Sequence, residues 1–397
     1  MNQALIDEFV EHFDHHDPRL GEDPHAVFSA MVERCPVAHS DRHGGFWIIS
    51  SYDAVYYALQ HYELFTTRKS VNIPAGLGQR RPLLPLETDP PEQLRYRRLL
   101  APVFAPPRMQ ALESKIRAIC DERIDAFVER GECDLIKELL APLPTTLFTE
   151  MMGLPYAEAE KFYRWKDLVL HSHADDPTGR KRAQAGEEIS DYLTALREER
   201  RARPRDDIMS LLVTTVIEGE RLTDDEVLDI AYLLFIAGLD TVTSALALQF
   251  LYLAKHPQQR DRLVRNRALI EPAVEELIRY ESPILAGRTA TQDLELGGQK
   301  IREGDRVLIN TAAADRDPKQ FPNPHKVIFD REPNRHIAFA VGPHRCVGSH
   351  LARLEMRIAH EQVHSRIPTY RLKPGATPRR HVSSVMGIDA LPLVWDR

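Results

Sequence analysis

From Ile230 to Ala254 the chain carries a single formal charge, Asp240, in an otherwise apolar or uncharged run. Eighteen or more apolar residues normally read as a membrane span, while a helix that is apolar all round is otherwise a buried core helix. The polar residues inside the run separate the two. Asp240, Thr241, Thr243, Ser244 and Gln249 lie in its middle and second half, where a charge would be costly in lipid. We read a buried helix, not a membrane span. Its start is marked by Thr223 with Glu226 three residues on, a capping box, and by Asp224 and Asp225 in the first turn. It runs to His256, before Pro257, and spans roughly 50 Å at 1.5 Å per residue. In its middle stands Ala237-Gly238-Leu239-Asp240-Thr241. A mid-helix glycine costs about 1 kcal/mol relative to alanine, and a threonine hydroxyl can bond back four residues and bend the helix. Here that carbonyl is Ala237, so a groove is expected beside Gly238.

The rest is expected to be mainly helical with a minor β part. Helical patterns cover about 90–105, 108–130, 135–152, 156–174, 182–202 and 206–218, with another from Asp53 onward. His43–Ile49, Thr289–Thr291, Leu294–Leu296 (before a Gly297-Gly298 turn) and Arg306–Ile309 read as strands, and the tail from His381 to Val394 as strand and turn. Arg68 to Thr88, rich in proline and glycine, reads as a loop. No linker, repeat or low-complexity tract divides the 397 residues, so one domain over 1–397 is expected. A net charge of −7 and a pI near 6.2 argue against nucleic acid as a partner. Four scattered cysteines and no apolar leader in Met1–Leu20 fit a reducing, cytoplasmic setting.

One cysteine stands apart. Phe339-Ala340-Val341-Gly342-Pro343-His344-Arg345-Cys346-Val347-Gly348 precedes a helical pattern. The free N–H groups and dipole of a helix start lower a thiol pKa, and Gly342 and Gly348 allow close backbone approach to a flat partner. A thiolate so placed is what a haem iron needs as axial ligand when an O–O bond is to be cleaved. His344, Cys346 and His350 could instead form part of a zinc site, but no Cys-x-x-Cys pair exists to complete one.

The stretch resembles the cysteine-ligand loop of the cytochrome P450 family, Phe-Gly-x-Gly-x-His-x-Cys-x-Gly. It departs at Ala340, where the family usually has glycine, which implies a different start to the loop. Ala237–Thr241 matches the family's oxygen-binding motif. The resemblance implies the P450 fold, with haem b between the long central helix and the cysteine loop. Cys346 would be the iron ligand, with Phe339, Gly348 and Gly238 against the cofactor. Thr241 would hold dioxygen and an ordered water, and Asp240 would feed protons inward. Arg97, Arg288 and His344 would clamp the haem carboxylates, with Gln93 replacing a histidine usual in the family. Glu276-Leu277-Ile278-Arg279 places two charges on one helix face. By resemblance Glu276, Arg279 and Arg331 form a buried network that holds the cysteine loop.

Asp89–Gln93, Gly238–Val242, Pro333–His336 and Ala390–Asp396 look most like the bacterial camphor and cineole hydroxylases. That implies a small apolar, terpenoid-like substrate. Its pocket would be lined by Leu83, Leu84 and Leu86, by Leu233, Ile236 and Ala237, and by Ile284, Leu285, Ser384 and Val385. Arg81 falls on the loop beside it, either meeting a carboxylate or facing water. NAD(P)H electrons would come through a separate ferredoxin-type donor. Arg95, Arg98, Arg345, Arg353 and Arg357 would offer it a basic face. The leading function is an oxygen-dependent haem monooxygenase. A peroxide-driven peroxygenase is disfavoured by Asp240-Thr241, which such relatives lack. A non-catalytic haem-thiolate binding or sensing protein would leave that pair without a purpose.

Overall fold

The computed structural model describes residues 1–396 except 173–175 and 177. The central helix spans Asp224–Lys255. Thr223 Oγ1 accepts the Glu226 N–H, and the Glu226 carboxylate accepts the Thr223 N–H, so the capping box is complete. By length and composition this helix could cross a membrane, yet most of its apolar window is buried inside the protein. Helices Pro142–Met152, Ala159–Leu170, Arg180–Ala202 and Ile208–Thr214 pack along it on one side. Ile270–Tyr280 and the cysteine-loop helix Ser349–Arg366 pack on the other. One large apolar core joins them.

The β part sits to one end. Its main sheet runs in the order Val37–Ser40, Phe46–Ile49, Arg306–Ile309, Ala286–Ala290, Phe65–Thr66. All pairings are antiparallel except Phe46–Ile49 beside Arg306–Ile309, where Trp47 faces Val307. Leu294–Leu296 and Gln299–Ile301 form a hairpin through Gly297 and Gly298, at φ 58° and 77°. Two successive positive φ values are what a tight hairpin turn requires and what glycine allows.

Several helical expectations change in detail. The 90–105 segment is helical over Glu92–Leu100. The 108–130 segment is split into Pro106–Gln110, Glu113–Asp125 and a short turn at Val128–Arg130. The 135–152 segment begins as a wide turn, Ile136–Leu140, before Pro142–Met152. Pro142 and Pro144 have no N–H to give, so one continuous hydrogen-bond ladder cannot run through them. The helix expected over 206–218 stops at Thr214, and the chain turns into the hairpin Val216–Ile217/Glu220–Arg221. The 156–174 segment is a short turn and then Ala159–Leu170; positions 173 and 174 lie outside the described residues. Val37–Ser40, too short for a period, was not expected as a strand.

Candidate active site

Cys346 lies between a turn at Gly342–His344 and the helix that starts at Ser349. Its N–H donates to the Phe339 carbonyl at 2.9 Å, which closes the loop. Ala340 takes φ 55°, the left-handed conformation that glycine adopts without cost. The alanine is thus held in a conformation that favours glycine. Gly342 meets a packing demand of its own. At φ 72°, a Cβ on it would lie 2.5 Å from the Leu59 carbonyl oxygen, so it is the helix Tyr52–Gln60 that demands glycine. A Cβ on Gly348 would meet nothing within 4 Å.

The open surface of Cys346 faces an internal cavity of about 390 Å³ that Cys346 itself helps to line. Burial pushes its thiol up, opposed by the Gly348 N–H and by the charges of Arg97, Arg353 and Arg345. A cation bound at the sulfur reverses that balance, because a coordinating thiol is deprotonated outright. Arg353 stacks 4.3 Å over the Phe339 ring and forks onto Glu275 at 2.7 and 2.9 Å.

Below the loop, Glu276 is fully buried. Arg279 forks onto it with two bonds of 2.8 Å, and Arg331 Nε adds a third at 2.9 Å. The Ile328 N–H and the Asn334 amide also donate to Glu276, while Arg279 donates further to the carbonyls of Asp315 and Pro324. The three expected network residues therefore do meet, through the segment that leads to the cysteine loop.

On the opposite wall, Ala237, Gly238 and Thr241 line the same cavity as Cys346, Phe339 and Gly348. Thr241 Oγ1 donates to the Ala237 carbonyl at 3.1 Å. A Cβ on Gly238 would lie 2.3 Å from the Phe148 ring, so this glycine also admits a side chain from Pro142–Met152. The helix stays continuous through it. Asp240 points elsewhere. It is buried behind the wall, with Lys166 Nζ at 2.8 Å, His171 Nε2 at 3.1 Å and Ser244 Oγ at 3.4 Å. Burial alone would raise its carboxyl, but the charges and hydrogen bonds of His171 and Lys166 outweigh burial and hold it far below the usual range. Lys166 and His171 were not singled out in the sequence. They stand 74 and 69 positions away with no motif of their own.

Three further candidates reach the cavity wall: Arg97, Arg288 and His344. Arg288 is buried, donates to its neighbour's carbonyl at Gly287, and is pushed down to about 10 by burial. Arg97 has neither a carboxylate nor a hydrogen-bond partner among the described residues, and burial lowers it too. His344 Nε2 is 3.7 Å from Asp89, too long for a hydrogen bond, and is buried without one. Gln93 turns its amide to the Pro343 carbonyl at 2.7 Å. Buried cations without anions are costly unless a ligand brings the anions. Two guanidinium groups beside one thiol and an apolar wall fit a flat apolar cofactor with carboxylates at one edge, as haem has.

Eight of the ten expected pocket residues line the cavity: Leu86, Leu233, Ile236, Ala237, Ile284, Leu285, Ser384 and Val385. Leu83 and Leu84 do not. The Glu87 carboxylate accepts the Leu83 and Val71 N–H groups, and the turn so tied buries both leucines in the main core. Arg81 meets carboxylates: Asp229 at 3.0 and 3.2 Å and Asp225 at 2.9 Å, both on the central helix. The expected basic face is largely neutralised. Arg95 pairs with Glu226, Arg353 with Glu275, and Arg357 with Glu113 and Glu361, while Arg98 is 3.6 Å from Glu218. Arg345 is exposed, with no ion pair among the described residues. Nor do the described residues gather three metal-ligating side chains, which removes the zinc alternative for His344, Cys346 and His350.

Residues 159–366 match the model of the cytochrome P450 family. The chain is 35% identical over 384 residues to probable cytochrome P450 127A1 of Sinorhizobium fredii, covering 95% of this chain and 91% of that one. It is 34% identical over 353 residues to the steroid C26-monooxygenase of Mycolicibacterium smegmatis, covering 87% and 86%. Among solved structures, CYP109E1 from Bacillus megaterium in complex with testosterone aligns with a TM-score of 0.89 at 28% identity, over 96% of this chain and 100% of that one. The chain belongs to the cytochrome P450 family: a haem monooxygenase with haem b on a cysteine thiolate, using NAD(P)H electrons delivered through redox partners.

Proposed function

We propose that this enzyme hydroxylates a compact apolar substrate of terpenoid type, with Cys346 as the sulfur ligand and Arg97, Arg288 and His344 holding the haem carboxylates. The observation that carries this reading is the pair of guanidinium groups, Arg288 buried and Arg97 half-buried, that line one cavity with Cys346 and Thr241 with no ion pair among the described residues. When bound, the haem supplies the activation of dioxygen. The protein's own part is binding, orientation and proton supply. Thr241, its proton given to Ala237, keeps lone pairs open to the cavity to accept from a water. Asp240 holds a carboxylate one residue away. Leu86, Leu233, Ile236, Ile284, Leu285 and Val385 offer a hydrocarbon wall that excludes water, with Ser384 and Asn72 as its polar edge. Glu276, Arg279 and Arg331 hold the cysteine loop in register. A second reading, a steroid skeleton, is favoured by the similarity to a steroid C26-monooxygenase. A ferredoxin-type donor would approach the cysteine side, where Arg345 is exposed.

The test is spectroscopic. The reduced carbon monoxide complex is expected to absorb at the wavelength diagnostic of thiolate ligation. A spectrum typical of histidine-ligated haem in fresh protein would sink the assignment of Cys346. Titration of the Soret band with monoterpenoids, sesquiterpenoids and steroids then ranks substrates without a redox partner. A spin-state shift by the steroids alone would overturn the terpenoid reading.

A further inference from the structure

Most polar side chains on the cavity wall already have a task. Arg97, Arg288, His344 and Gln93 lie at the edge read as the haem's. Thr241 gives its proton to the Ala237 carbonyl, and Thr311 gives its own to the Ile284 carbonyl at 2.8 Å. Glu355 belongs to the helix that follows Cys346. Ser384 is only half-buried, and its hydroxyl can rotate to suit. Asn72 is different. It lines the cavity at 4% exposure, and its Nδ2 is buried with no hydrogen-bond partner. Its Oδ1 has none either among the described residues. A side-chain amide brings two donors and an acceptor, and burying them unpaired is costly. The backbone is braced and does not relieve this. Arg306 donates to the carbonyls of Lys69, Ser70 and Asn72, the last two at 2.8 and 2.9 Å, and the Gly287 N–H donates to the Val71 carbonyl at 2.6 Å. The side chain is therefore fixed in place at the wall, while no bond fixes which end of its amide faces inward. Rotation about Cβ–Cγ turns Nδ2 to the cavity.

We propose that Asn72 is a specificity residue whose Nδ2 donates to an uncharged acceptor oxygen on the substrate, a carbonyl, ether or hydroxyl, so that the enzyme takes oxygenated terpenoids in preference to plain hydrocarbons. This role deepens the terpenoid reading above and rests on it. A hydrocarbon guest would leave Nδ2 dry and unpaired in the complex, and its binding would carry that cost. An acceptor oxygen removes the cost. A carboxylate fits less well. The loop that carries Asn72 gives the cavity Val71, Leu77, Pro85 and Leu86, none of them charged. The two guanidinium groups lie at the edge where the haem carboxylates would take them. An ionised group at Asn72 would thus be buried without a counter-charge. A single fixed donor on an apolar wall also sets orientation. With its oxygen held at Asn72, the guest presents a defined part of its skeleton to the wall that carries Thr241.

The test titrates the Soret band of haem-loaded wild type, Asn72→Leu and Asn72→Asp. The probes are limonene and the ketone and alcohol of its skeleton, carvone and carveol, together with androstane and androstanone. Leucine has nearly the shape of asparagine and no polar atom. Aspartate keeps the outline and loses the donors, and it serves alone where Asn72→Leu does not load haem. The carbon monoxide band and melting temperature of each variant are read first and are expected to match wild type. The ratio of ketone to hydrocarbon affinity is expected to fall about tenfold in both variants, the size of one hydrogen bond whose buried donor is otherwise unpaired. Comparing ratios between proteins cancels the ketone's greater solubility in water. Limonene is expected to bind Asn72→Leu at least as tightly as wild type. An unchanged ratio in both variants would overturn the role of Asn72 and leave the terpenoid reading standing. A shift by the steroid pair alone, with its ratio lost in the variants, would overturn the terpenoid reading and leave Asn72 in place. A dependence on Asn72 for carveol but not for carvone would show Oδ1 facing the guest and overturn the acceptor oxygen. A band that none of these compounds moves would overturn both.

Discussion

Glu276 and Asp240 are both buried carboxylates, yet they are held in different ways. Glu276 is bound by two guanidinium groups, a backbone N–H and the Asn334 amide. Arginine does not deprotonate in proteins, so nothing around Glu276 can exchange a proton. Asp240 is bound by an ammonium, an imidazole and a hydroxyl, and the imidazole can exchange one. The difference teaches that burial and ion pairing alone do not mark a functional carboxylate. The titration behaviour of its partners does. One wall of the cavity is thereby fixed, and the other is left chemically open.

The sharpest way to break this comparison is Glu276→Ala. Removing one partner of a buried pair costs about 3–5 kcal/mol, so little soluble haem-loaded protein is expected. Normal haem content and an unchanged melting temperature would show that the cysteine side does not depend on this network. Asp240→Asn is expected to leave haem content intact but slow turnover, by about 10²–10⁴-fold if the group acts in proton transfer. Thr241→Ala is expected to keep ligand binding and NAD(P)H oxidation while diverting electrons to hydrogen peroxide. Product formed per NAD(P)H consumed, with peroxide measured in parallel, checks both. Tight coupling in Thr241→Ala would remove that hydroxyl from the mechanism.

Acid titration sharpens the contrast. His360 and His364 are buried against Tyr370 and Phe250, and no carboxylate among the described residues pairs with them. Burial lowers His364 to about 4 and pushes His360 well down. The unfolded chain takes up these protons near pH 6.5, while the folded one refuses His364's until about 4. Stability is therefore expected to fall as pH drops through that window, by up to about 1.4 kcal/mol per pH unit per group. Glu275 is held down at about 2 against burial by His336 and Arg353. Its contribution is present above the usual glutamate range and is lost only as pH falls further, toward 2. Denaturation midpoints across the acid range check the order. A stability that stays flat until the carboxylates titrate would remove the two histidines from the account. The smallest effect is expected from Ala340→Gly. It relieves a left-handed alanine worth about 1–2 kcal/mol, offset by about 0.4–1 kcal/mol of extra freedom in the unfolded chain. A melting temperature unchanged or slightly raised fits; a drop would mean that the alanine methyl makes contacts the loop needs.

What was legible in the sequence was local. The capping box at Thr223 and Glu226, the back-bond from Thr241 to Ala237, the pairing of Glu276 with Arg279 and the loop around Cys346 each depend on residues a few positions apart. Arg331 came through resemblance, not spacing. What was not legible depended on which faces of distant elements meet. Lys166 and His171 reach Asp240 only because their helix packs along the central one. Leu83 and Leu84 turn from the cavity because Glu87 ties their backbone, and the arginines near the cysteine loop find glutamates from separate helices. The mainly helical character was readable from periodicity and the fold through resemblance, whereas the electrostatic wiring behind the cavity needed three dimensions.

Arg81 illustrates the difference at the rim. It fastens a loop that forms one cavity wall to Asp225, through an exposed pair, and to the more buried Asp229. Such pairs contribute about 0–1 kcal/mol each and are weakened by salt. The fastening of that loop is therefore open to ionic strength, whereas the hydrocarbon lining behind it is a surface that salt leaves largely untouched. Residence and access can then drift apart through changes at a single surface arginine, with no alteration to the chamber itself.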